Sequence, residues 1–238
     1  MGSRRAIVIP LRDDNPAAAR PVITLAILFA VAVVFLWQQS LPPAGFEAAV
    51  YALGLIPGVL FGLHTLPDEL SIVSSEVTVL TSMFLHGGWL HLIGNMLFLW
   101  VFGDNVEDAM GHGRFAVFYV TCGIAAAFAQ VLPDPHSVVP MIGASGAISG
   151  VLGAYLLLFP RARVLVLVPL GFFLYTVRWP AQLVLLGWFG LQLLSNAFAD
   201  SGSGGVAFGA HVGGFLAGVT LVGLFKRPGV RLFNPLRG

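Results

Sequence analysis

Eight apolar runs, separated by short polar stretches, organise the chain. Crossing a bilayer takes roughly 20 mostly apolar residues in a helix. Six runs qualify: Pro21–Gln38, His91–Met110, Arg114–Leu132, Ser145–Phe159 with its apolar lead-in, Trp179–Asn196 and Val206–Phe225. The other two, Val50–Leu63 and Val164–Val177, are about 14 residues long and are broken by Pro57-Gly58 and by Pro169 and Gly171. Runs of that length are more often re-entrant or interfacial than spanning, so both are predicted to lie at the membrane surface. The pattern predicts an all-α membrane protein with a six-transmembrane-helix bundle over residues 21–226. A polar segment, 1–20, precedes it, a tail, 227–238, follows it, and a long first outer loop covers about 39–90. No internal repeat or second domain is visible. The loop Asp200–Gly205 is rich in glycine and serine, flexible by composition, and is a candidate lid.

Charge tests this arrangement. Lys and Arg concentrate in cytoplasmic loops. With six spans, all 12 basic residues fall on one side: Arg4, Arg5, Arg12, Arg20, Arg114, Arg161, Arg163, Arg178, Lys226, Arg227, Arg231 and Arg237. The opposite loops hold Glu47, Asp68, Glu69, Glu76, Asp134 and Asp200, and no basic residue. Turning only one of the short runs into a span would destroy the separation. Both termini are therefore expected in the cytoplasm. Composition agrees: 57% of residues are apolar, 10% are charged, and mean hydropathy is +0.89, where a soluble domain carries about a quarter charged residues. The net charge of +1 says nothing about nucleic acid, no basic patch interleaves with aromatics, and no nucleic-acid partner is expected. The single cysteine, Cys122, allows no intramolecular disulfide and reads as a small packing residue. The first twenty residues are polar and of mixed charge, and no small-residue cleavage site follows the first apolar run. No cleavable signal is expected, and that run stays as a helix.

Topology then sets the depth of the polar residues. The fourth span runs inward from Ser145, below the apolar lead-in Val138–Ala144. The sixth runs the same way and carries His211 ~7–8 Å below Val206, at 1.5 Å per residue. The second also runs inward, and its His91 and Asn95, at i and i+4, share one face. Four polar residues from three parallel helices thus reach a similar depth, where polar groups are costly and usually functional. A serine hydroxyl needs a base to take its proton, and histidine suits the task. An oxyanion needs preplaced donors. Asn95 offers an amide N–H, His91 a ring N–H, and Ser145 a backbone N–H at a helix start. No carboxylate lies at this level: Asp104, Glu107 and Asp108 fall at the inner end of the second span. The chemistry is therefore a Ser–His dyad, with no metal or cofactor expected. Gly146, Gly150 and Gly153 in the fourth span, and Gly205, Gly209, Gly213, Gly214 and Gly218 around the sixth, permit close approach.

Blander readings exist for each residue. An isolated serine in a membrane helix most often bonds back to its own helix. His91 and Asn95 alone would read as interhelical hydrogen-bonding groups. His86, His91 and His211 could be imagined around a metal, but His86 and His91 do not share a helix face and no acidic or thiol ligand joins them. His86 reads as a structural donor in the loop entering the second span. His64, His112 and His136 read as loop or surface residues, and Glu107 as an interhelical hydrogen-bonding group at the inner face. Trp37, Trp89 and Trp179 fit the interfacial aromatic belts. It is the coincidence of depth that favours chemistry.

From about Thr81 to Gly218 the chain resembles the rhomboid intramembrane serine proteases. The resemblance rests on His86-Gly-Gly-Trp-Leu-His91-Leu-Ile-Gly-Asn95, Phe102-Gly-Asp-Asn-Val-Glu107, Gly143-Ala-Ser145-Gly146 and Ala210-His211-Val-Gly-Gly214. It implies a six-helix fold with Ser145 as nucleophile, His211 as general base, and His91, Asn95 and the Ser145 backbone N–H as oxyanion hole. It also implies transmembrane protein substrates, cut in or beside their membrane segment, and a bacterial-type enzyme of the plasma membrane with its site facing outward. A catalytically inactive relative that binds or escorts membrane proteins is the alternative. Two positions depart from the pattern of some members. Val77-Thr78 stand where those members have Trp-Arg. Ser149 stands one turn below the nucleophile, where they place an aromatic against the base.

Overall fold

Proline and glycine set most of the element ends. In the computed structural model, which describes residues 9–170, 173–197 and 207–233, β1 (Ile9–Asp13) leads into α1 (Val22–Ser40), which starts after Pro21. Then come α2 (Pro43–Leu53) and α3 (Pro57–Leu60), each with proline at a first-turn position that needs no N–H donor. Next are the short α4 (Thr78–Thr81), α5 (Trp89–Met110), α6 (His112–Val131) and α7 (Ser145–Leu158). The chain closes with β2 (Arg163–Leu170), β3 (Phe173–Pro180), α8 (Ala181–Ala197) and α9 (Phe208–Phe225). Gly111, at φ +82°, makes the reversal between α5 and α6. The loop Asp200–Gly205, its Gly205, Val206 and the basic residues Arg4, Arg5 and Arg237 lie outside the described residues.

Six long helices thus stand close to the six expected runs. Three of them, α1, α6 and α9, are long and apolar enough to cross a membrane; α5 joined to the bent segment Thr78–Phe84 makes a fourth. The protein is a helical, multi-pass membrane protein. The α7 helix has only 14 residues, about 21 Å at 1.5 Å per residue. It is nevertheless the centre of the bundle: every residue from Gly146 to Tyr155 is buried, as is Leu158. A helix surrounded by protein does not have to match the bilayer's thickness with its own length.

Neither short apolar run is a long helix. Val50–Leu63 contains the end of α2, a kink and α3. It is pinned to the loop before Ser145 by paired Leu55 and Met141 backbones, at 3.0 and 2.8 Å, and by the Gly58 N–H on the Ser137 carbonyl. Val164–Val177 forms most of a β-hairpin. The all-α expectation therefore needs one addition, an antiparallel three-stranded sheet in the order β1-β2-β3. Val, Phe, Tyr, Thr and Trp suit a pleated surface better than a helix. Val164 and Val166 are fully buried against the bundle.

The six long helices alternate in direction, and one face gathers the start of α1, the end of α5, the start of α6, the ends of α7 and α9 and the start of α8. Glu107, at the end of α5, is buried and accepts hydrogen bonds from the Ile23 and Thr24 N–H groups at 2.9 and 2.8 Å, and from the Thr24 hydroxyl. It caps α1, which has no side-chain cap of its own, and meets the His112 ring. An anion on the positive end of a helix dipole is stabilising. Asp108 accepts from the Ala18 N–H and pairs with Arg227 at 3.1 Å. The Phe233 N–H reaches the Leu157 carbonyl at the end of α7, and Ala181 N–H at the start of α8 bonds Ala162. Arg12, Arg163 and Arg178 belong to the sheet at this same face.

Candidate active site

The opposite face holds the residues singled out for chemistry. Ser145 is the first residue of α7 and half-buried; His211 is near the start of α9 and buried. The two helices meet backbone to backbone. A methyl on Gly214 would lie 2.0 Å from the Gly146 carbonyl oxygen, and one on Gly218 would lie 1.9 Å from that of Gly150. Gly153 opposes Phe215 in the same way. Gly146 also neighbours Ala210, so Ser145, just before Gly146, and His211, just after Ala210, each adjoin a residue of this pair. Gly213 turns instead toward α6, where Ala129 leaves no room for a side chain. Cys122 packs on Gly150 as the small residue expected. Glycine here removes the side chains that would hold the backbones apart.

His91 and Asn95 reach the site from α5. Gly143, two residues before Ser145, stands at φ +122°, and a methyl there would sit 2.7 Å from His91 Nε2. Glycine is required on both counts. The Gly87 N–H lies 3.4 Å from His91 Nδ1, so Nδ1 accepts and Nε2 carries the hydrogen. Asn95 is buried, and its Nδ2 comes within 3.8 Å of the same methyl position. His91 also lies within electrostatic reach of His211. At the start of α7 the first backbone N–H groups have no partner in the helix, and Ser145 is one of them.

Behind Asn95 stands a relay. Asn95 Nδ2 donates to His86 Nε2 at 2.8 Å, and the His86 ring directs Nδ1 to the Phe84 carbonyl at 3.3 Å. The His86 backbone N–H donates to Gln38 Oε1 of α1 at 3.0 Å. His86 is structural, as expected, but toward Asn95 it is an acceptor. An amide nitrogen has two hydrogens, and this bond orients it while using one. His86 and His91 rings are in edge contact at 4.9 Å; among the described residues no three His, Cys, Asp or Glu side chains are grouped to hold a metal ion.

Ser149 gives His211 no ring to stack on: its hydroxyl bonds back to the Ser145 carbonyl at 2.6 Å. The His211 ring is held from α8 and from its own helix. Trp188 lies 5.8 Å away with the planes tilted by 39°, Phe208 meets it edge-on at 6.3 Å, and Gln192 Oε1 is 2.7 Å from Nδ1. Gln130 of α6 accepts the Ala210 N–H at 3.1 Å, which caps α9 one residue before His211. Sequence reasoning missed Gln38, Gln130 and Gln192. The available signal was a polar amide inside or at the end of an otherwise apolar helix.

A helical membrane protein with serine, histidine and amide groups converging at one end of a glycine-packed helix pair is the class that fold and site define. Comparison with known proteins identifies the family. The rhomboid domain model matches residues 74–228, and the chain belongs to the rhomboid family. It is 30% identical over 232 residues to Rhomboid protein 1, mitochondrial, of Saccharomyces cerevisiae, covering 86% of this chain and 63% of that protein. It is 36% identical to Rhomboid protease GluP of Bacillus subtilis, over 60% of this chain and 25% of that protein. It is 30% identical to Rhomboid-like protein 11, chloroplastic, of Arabidopsis thaliana, over 62% of this chain and 51% of the relative. The chain thus spans less than two thirds of the length of each. Mitochondrial and chloroplastic relatives stand beside the bacterial one, so they do not support the bacterial plasma membrane in particular.

Proposed function

We propose that the protein is an intramembrane serine endopeptidase that cuts membrane-anchored proteins in or near their transmembrane segment. All six long helices cross the bilayer. The basic face, with both termini, lies in the cytoplasm, and the site opens to the opposite side. His211 takes the proton of the Ser145 hydroxyl as its oxygen attacks the scissile carbonyl, then returns that proton to the leaving amine. His91 Nε2–H, Asn95 Nδ2–H and the Ser145 N–H donate to the oxyanion of the tetrahedral intermediate. Water then repeats the attack on the acyl-enzyme. The supporting observation is the contact of Gly146 with Gly214 and Ala210, with Gly143 against His91. It supports a site built from three helices, with Ser145 as nucleophile, His211 as base and His91 and Asn95 as donors.

The test is labelling by a fluorophosphonate probe in detergent and in proteoliposomes. Wild type labels and Ser145→Ala and His211→Ala do not; labelling of wild type no faster than Ser145→Ala overturns the reading. The outcome in which the inactive protein still captures membrane proteins would favour a binding or escort role.

A further inference from the structure

We infer that Gln192 is a positioning residue for His211: its side-chain carbonyl holds the hydrogen on Nδ1 and so leaves the lone pair on Nε2 for Ser145. This rests on the serine-protease reading. Gln192 Oε1 lies 2.7 Å from Nδ1. A carbonyl oxygen only accepts, so Nδ1 is the donor, and in a neutral ring Nε2 is then the base. Which nitrogen of a histidine carries its hydrogen is set by the partner of the other one. An unpartnered imidazole favours hydrogen on Nε2, which would block the base. His211 is buried, so water is a poor substitute for this partner.

The same face of α8 supplies a second constraint. Trp188 is one turn before Gln192, at i−4, and its ring lies beside that of His211. One residue sets the ring's place and the other its protonated nitrogen. The choice of an amide follows from the surroundings. The carboxylates of α5 (Asp104, Glu107 and Asp108) lie toward the far end, and among the described residues His91 is the titratable neighbour that acts on His211. An ionised carboxylate at this depth would be costly and would favour the imidazolium. The amide fixes the tautomer and keeps the base neutral.

The experiment compares full-length wild type, Gln192→Leu and Gln192→Glu, with fluorophosphonate labelling rates across pH and nitrogen NMR of ¹⁵N-histidine-labelled protein. In wild type, His211 shows hydrogen on Nδ1; in Gln192→Leu it moves to Nε2, and labelling slows by roughly 10–100-fold, as for other residues that orient a functional histidine. Gln192→Glu keeps the Nδ1 hydrogen and recovers labelling to within about tenfold of wild type. The acidic limb of its pH–rate profile moves to higher pH, because a carboxylate favours the protonated ring. A merely structural role moves neither the tautomer nor the limb. A wild-type His211 with hydrogen on Nε2, or an Nδ1 signature unchanged in Gln192→Leu, overturns the inference. If the tautomer responds as stated while wild type does not react with the probe, the protease reading fails and the positioning role stands.

Discussion

The two faces of the bundle are held together by different chemistry. At the basic face carboxylates do the joining: Glu107 caps α1, Asp108 takes Arg227, and Asp13 accepts from Tyr155 and Asn105. At the site face the joining groups are neutral: Gln38 to His86 to Asn95, Gln130 to α9, and Gln192 to His211. Ion pairs and cap charges are tolerated where helix ends meet polar solvent. At the candidate site, under the proposed protease reading, a fixed charge would compete with the oxyanion and bias the base. The difference separates what stabilises the molecule from what would prepare the proposed chemistry.

The largest expected effect comes from the seam that both faces share. Gly214→Leu places a side chain where 2.0 Å is available next to the Gly146 carbonyl. Overpacking costs about 1–3 kcal/mol or more; this variant should lose probe labelling and unfold at lower temperature in micelles. Retention of both would mean that the helices are not in backbone contact.

Next is Gly143→Ala at the site face. It imposes φ +122° on an L-residue and pushes on His91 Nε2. The labelling rate should fall by roughly 10²-fold, the scale of losing one oxyanion donor. Stability should fall by about 1–3 kcal/mol from the strain. A stability loss with an unchanged rate would remove His91 from the site.

Glu107→Gln probes the basic face. Losing the charge on a buried helix cap should cost about 1.5–3 kcal/mol, read by thermal unfolding, with the labelling rate within about threefold of wild type by the distance from the site. Equal loss of both would collapse the distinction between the two faces.

A pH dependence is expected at the sheet. Burial, with Asp104 and Asp14 nearby, raises the Asp13 carboxyl from 3.8 to about 7. A folded-state value above the unfolded one stabilises the fold fully below about 3.8, and that contribution is lost as pH rises through about 7. Wild type should therefore become less heat-stable across that window. Asp13→Asn should flatten this part of the curve. An unchanged slope would mean that Asp13 is ionised throughout.

Much of this was legible in residue order. Span length and the placement of twelve basic residues outlined the helices, because the bilayer makes apolar length and loop charge almost obligatory signals. Ser145, His211, His91 and Asn95 stood out because polar groups are rare in such helices. The hairpin Arg163–Pro180 was less legible, since a short apolar run reads alike as surface helix or strand. The amides were visible as polar residues in apolar helices, but their partners were not. A glutamine at 38, 130 or 192 has the same letter whether it faces lipid headgroups or a histidine.

By itself, then, the sequence determined a multi-pass helical chain, the glycine-rich segments that form α7 and α9, and the candidate residues Ser145, His211, His91 and Asn95. Those follow from one-dimensional quantities: apolar length, charge position and residue type. Only the tertiary structure decided which groups meet. The Gly146–Gly214 contact, the Asn95–His86–Gln38 relay and the Gln192–His211 bond depend on how helices rotate and cross. Hydrogen bonds and backbone contacts act over about 3 Å, a distance that spacing along a chain does not encode.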